Sequence, residues 1–96
     1  MSASVRWALR AVETSAAQAE LGLSLRDAGQ LGAAADALRR ALTLDARNAS
    51  AYMALGEIGV REHRLDDARS AYEHYLALEP EGEHAARARA ALAEMR

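Results

Sequence analysis

Residues 49–80 read ASAYMALGEIGVREHRLDDARSAYEHYLALEP, and the spacing inside this stretch decides the fold. Tyr52, Leu55, Gly56 and Gly59 fall at i, i+3, i+4 and i+7, one face of a helix expected over 49–62. Asn48 stands before it, where a short polar side chain caps free amides. After a turn, Ala68, Ala71, Tyr72 and Tyr75 supply the matching face of a second helix, 65–78. Pro80 then stops the chain from continuing as helix. Glycine weakens a helix by ~0.5–1 kcal/mol relative to alanine, so two of them on the apolar face point to close backbone approach. The expected contact sets Gly56 against Ala68, with Tyr75 filling the space that Gly59 leaves.

The stretch has a copy upstream. Leu21-Gly22 recurs as Leu55-Gly56, 34 residues on. The same shift pairs Ala17 with Ala51, Leu31 with Leu65, Ala34 with Ala68, Ala37 with Ala71, Leu42 with Leu76 and Leu44 with Leu78. Chance alone would give about four identities in so alanine-rich a chain, so the weight lies in their character. All are small or apolar, and all obey one helix-turn-helix spacing. An aromatic, then Leu-Gly, a later Ala, an aromatic and Pro (Tyr52, Leu55-Gly56, Ala68, Tyr72, Pro80) resemble the signature of the tetratricopeptide repeat. Residues 15–46 resemble a weaker copy, with Ala46 where the proline would be. Two positions depart from the family pattern: Gly59 replaces an aromatic and Tyr75 replaces an alanine. The resemblance implies an all-α fold, a short right-handed solenoid of helical hairpins, with helices near 15–28, 31–44, 49–62, 65–78 and 83–95. Any other amphipathic helical hairpin would share part of this pattern.

At 96 residues the chain has room for one domain, divided here into an N-terminal extension 1–14, repeats 15–48 and 49–82, and a capping helix 83–96. About a quarter of the residues are alanine, which buries little surface but favours helix and close packing. No cysteine is present, which excludes disulfides and thiolate chemistry. Acidic residues number 14 and basic residues 12, a net charge of -2 that makes no case for nucleic acid or an anionic membrane. No apolar run reaches the ~20 residues of a membrane span, and no secretory leader is visible, so a cytoplasmic location is expected.

At the C-terminal end, Ala85, Ala88 and Leu92 repeat the docking face of Ala51, Ala54 and Ile58, while Ala86, Arg89, Ala90 and Ala93 stand where a further helix would pack. A solvent-tolerant outer face suits a cap, so the array is expected to finish here. At the other end, Thr14-Ser15 with Gln18 resembles a capping box and argues for a helix start at 15. Yet Val5, Ala8, Leu9 and Val12 form an apolar stripe that Ala16, Ala19 and Leu23 prolong, so one helix over 3–28 is equally allowed.

Catalysis is not expected. His63, His74 and His84 show no metal-ligand spacing, and no nucleophile-base order, phosphate loop or buried carboxylate pair is present. No cofactor or metal is expected. The resemblance implies a protein-interaction module whose first helices line a groove for a peptide or partner helix. The groove residues would be Ala19, Leu23 and Arg26 on the first repeat, Met53, Glu57, Val60 and Arg61 on the second, and Arg87 on the cap. The family's clamp for a terminal carboxylate uses Lys and Asn; Ala19, Leu23 and Ala54 stand there, so that activity does not carry over. The alternative is a self-associating building block, a homodimer through Val5, Trp7, Leu9 and Val12.

Overall fold

The computed structural model describes residues 14–95, and these form five helices: α1 (Ser15–Asp27), α2 (Leu31–Leu44), α3 (Ala49–Arg61), α4 (Leu65–Leu78) and α5 (Ala85–Glu94). No strand occurs among the described residues. None of their helices is long and apolar enough to cross a membrane. The chain divides into two compact units, Met1–Asn48 and Ala49–Arg96. The first holds the α1–α2 hairpin, the second the α3–α4 hairpin with α5. The expected helix spans hold within two residues at every boundary.

In the first unit, α1 begins where Thr14 turns out of helical geometry (φ -73, ψ 153) and its hydroxyl accepts the amide of Ala17 at 3.1 Å. The helix therefore starts at Ser15, the capping alternative. Gln18, one turn into the helix, accepts at its side-chain carbonyl oxygen from Arg40 Nε at 3.3 Å. Ser15 Oγ donates to the carbonyl of Ala41 (2.7 Å) and accepts from Asn48 Nδ2 (2.8 Å), tying the start of α1 to the end of α2 and the residue before α3. Between the helices, Gly22 faces Leu38: a Cβ on the glycine would lie 2.6 Å from Leu38 Cγ. Leu38 is itself fully buried, among Ala34, Ala37 and Ala41.

The second unit repeats that contact with larger groups, and here the sequence expectation needs correcting. A Cβ on Gly56 would meet the ring of Tyr72 at 2.8–2.9 Å, whereas Gly59 is the glycine lying on Ala68, at 2.9 Å from its Cβ. In an antiparallel hairpin each step along α3 moves the facing position backwards along α4. Gly59, nearer the turn, thus meets Ala68, and Gly56, one turn away, meets Tyr72. Tyr75 then lies too far from the turn to fill the space at Gly59. Its hydroxyl instead reaches the α4–α5 link, accepting the amide of His84 at 3.0 Å. Met53, Ala68, Tyr72, Tyr75, Ala85 and Ala88 form one buried cluster, so α5 closes over the hairpin with its alanines. Arg69 Nη2 bonds the carbonyl of Met95 (3.1 Å) and Arg89 Nη2 that of Pro80 (2.6 Å). Ala86, Arg89, Ala90 and Ala93 are exposed.

The 34-residue shift extends to the backbone. At the end of α1, Gly29 N–H donates to Arg26 and Gln30 N–H to Leu25; at the end of α3, His63 N–H donates to Val60 and Arg64 N–H to Gly59. Both are the paired 5→2 and 6→1 bonds that close a helix on a left-handed residue. That residue is Gly29 (φ 84) in one turn and His63 (φ 58) in the other.

Candidate partner-binding surface

The expected groove residues divide between the two units. In the first, Ala19 is buried and Leu23 half-buried. Arg26 is paired with its neighbour Asp27 at 3.1 Å, its side chain only 19% exposed. In the second, α3 carries Met53, Glu57, Val60 and Arg61 at i, i+4, i+7 and i+8, a single flank. Met53 is a correction of kind. It was expected on the open floor, but its side chain is sunk in the cluster with Tyr72, Tyr75, Ala85 and Ala88, because α5 covers that end of the flank. It shapes the surface from below and offers a partner almost nothing.

Above Met53, Glu57 Oε2 approaches Arg87 Nη2 of α5 at 3.7 Å, with the acid 21% and the arginine 62% exposed. The arginine end of the pair is open to water, and at 3.7 Å the contact adds little stability by itself. The buried Tyr72 lies within the field of both charges. Burial pushes its hydroxyl above the usual 10.0, the Glu57 carboxylate adds to the rise, and Arg87 opposes it. Past the pair, Val60 is 40% exposed and Arg61 is exposed. Glu57 and Arg87 are thus brought together. Val60 and Arg61 extend the same flank toward the α3–α4 turn.

Two features of the second unit have no counterpart in the sequence reading. Tyr52 stacks on His74, ring centroids 4.8 Å apart and planes 12° from parallel, while His74 Nδ1 lies 2.7 Å from the Ser70 carbonyl. The i and i+4 spacing of His74 and Ser70 carried a signal for the second contact; nothing local signals the first. A depression of about 270 Å³ opens between the first turn of α3 at Ala49 and Ser50 and the link bearing Glu79 and His84, with Tyr75 in its wall. Among the described residues no group of His, Asp and Glu is placed to hold a metal ion. The self-association residues Val5, Trp7, Leu9 and Val12 lie outside the described residues.

Hairpins of about 34 residues that pack small residues at a fixed register define a class, the helical repeat proteins. Within that class, residues 19–83 match the tetratricopeptide repeat, and the chain belongs to that family. Comparison with curated proteins found no match, and neither did comparison with solved structures. Repeats of this family are non-catalytic and mediate protein–protein interaction.

Proposed function

We propose that this chain is an interaction module that holds an amphipathic helix or an apolar peptide along the flank of its first helices. The carrying observation is the α3 flank, where an exposed Val60 lies between the half-buried Glu57, paired with the exposed Arg87, and the exposed Arg61. An apolar anchor flanked by both signs of charge suits a segment with one apolar stripe and polar edges. In the first hairpin the corresponding flank of α1 carries Leu23 and Arg26, both of limited exposure.

The test uses helical peptides selected against the intact protein from a displayed library and measured by calorimetry. Val60→Asp is expected to weaken the selected peptides by about tenfold or more, equivalent to roughly 1.4 kcal/mol. Ala77→Asp, on the exposed outer side of α4, leaves them unchanged. Binding that ignores Val60→Asp but falls with Ala77→Asp would defeat the proposal.

A further inference from the structure

Large apolar side chains exposed among the described residues are Leu21 and Leu44 in the first unit, and Val60 and Leu65 in the second. The second pair stands on either side of the α3–α4 turn. On α3, Val60 lies seven residues after Met53. On α4, Leu65 lies three before Ala68 and seven before Tyr72, and such spacings keep each residue on one helix stripe. Met53, Ala68 and Tyr72 are buried with Ala85 and Ala88 of α5, so both stripes run under that helix. The end of α5 is fixed where Arg69 Nη2 holds the Met95 carbonyl at 3.1 Å. Leu65 stands one turn beyond Arg69, nearer the α3–α4 turn. Val60 and Leu65 thus continue a buried seam past the last turn of α5, and they emerge 40% and 45% exposed.

Charge decides what fits there. Arg61 follows Val60 and Arg64 precedes Leu65, both exposed, and among the described residues neither is paired with a carboxylate. The neighbouring acids are engaged or turned away. Glu57 is 3.7 Å from Arg87, and Asp66 is 3.8 Å from Arg69. Glu62 and Asp67 each lie two residues from an anchor, roughly 200° round the helix. Glu94, seven residues after Arg87 on α5, is the acid left on this side. Two unpaired arginines therefore outweigh it, in a chain whose net charge is -2.

We propose that the partner is an acidic amphipathic helix, its apolar stripe laid across Val60 and Leu65 and its carboxylates set on Arg61 and Arg64. This rests on the α3 flank being the partner surface and extends that surface onto α4. Such a segment prolongs the seam with the same kind of element as α5. A basic helix would meet the two arginines with like charge. In a two-fold dimer through this patch the arginines of both copies would crowd together, which disfavours a second copy.

Helical peptides with a fixed apolar stripe and randomised edges, selected by display against the intact protein, supply the test. Asp and Glu are expected to outnumber Lys and Arg several-fold at the selected edges, with affinity in calorimetry falling as salt is raised. Leu65→Asp is expected to weaken these peptides about tenfold or more, as Val60→Asp does. An acid is favoured in the first turn of a helix, so Leu65→Asp should keep its helices in circular dichroism. An Arg61→Glu/Arg64→Glu double variant should instead select basic edges. Edges without an acidic excess, or affinity indifferent to salt, would overturn the acidic partner and leave the α3 flank standing. Peptides lost with Val60→Asp but kept with Leu65→Asp would overturn the extension onto α4. Peptides indifferent to both substitutions would defeat this proposal and the reading beneath it together. A wild-type mass that doubles with concentration, and reverts in Leu65→Asp, would assign the patch to a second copy. If a variant unfolds, the composition and salt dependence of peptides selected on the wild type still decide.

Discussion

At the scale of single residues, the two turns make a matched experiment. Gly29 and His63 occupy the same repeat position, with the same pair of closing hydrogen bonds and the same left-handed backbone. A side chain at such an angle costs about 1–2 kcal/mol, and glycine gives part of that back in unfolded-state entropy. His63→Gly is therefore expected to stabilise by about 0.5–1 kcal/mol and Gly29→Ala to destabilise by about 1 kcal/mol in urea titrations. Equal and null effects would show that the turns are unconstrained. The helix glycines behave oppositely. Gly56→Ala places a methyl group less than 3 Å from a tyrosine ring that is itself buried, and about 1–3 kcal/mol of strain is expected in thermal melts. Gly32, in α2 with nothing within 4 Å of its missing Cβ, is the control, and Gly32→Ala should be neutral or stabilising. That small residues were required at 22 and 56 was legible from the Leu-Gly repeat. Which side chain each one faced was not, because a self-match aligns the copies and says nothing about the offset between two helices.

At the scale of elements, α3, α4 and α5 converge on Tyr72. Its ring lies against Gly56, and its hydroxyl is held in the neutral form by burial and by Glu57. In the unfolded chain the group loses its proton near 10.0; in the folded chain it does so only at higher pH. Above 10.0 the unfolded state thus binds fewer protons than the native one, and stability falls as pH rises. The contribution is complete below 10.0 and is lost through the folded value. Denaturation midpoints are expected to drop more steeply in this alkaline range for wild type than for Tyr72→Phe, and parallel profiles would exclude the linkage. The helix boundaries were readable because caps, glycines and Pro80 are local signals. The burial of Met53 was not. The sequence places Met53 on one flank with Glu57 and Val60, and only the seating of α5 decides which part of that flank stays open.

For the molecule as a whole, the cores are made mostly of alanine, with Leu38 the largest fully buried side chain among the described residues. Such packing draws its stability from many close, repeat-local contacts, and in repeat proteins the effect of a substitution falls off with distance along the stack. In native-state hydrogen exchange, Gly56→Ala is expected to reduce protection of amides in α3 and α4 more than in α1 and α2. A uniform loss across all four helices would instead show one all-or-none unit. By itself the sequence determined the helical class, the 34-residue period, the placement of five helices and the family, because periodicity, capping and turn chemistry act within a few residues. Tertiary structure alone decided that Gly56 meets Tyr72, that Tyr75 turns to the His84 amide, that Met53 is sealed in, and how far Leu21 and Leu44 are exposed. Those outcomes depend on the offset between helices and on what packs above them, and residues far apart in the chain set both.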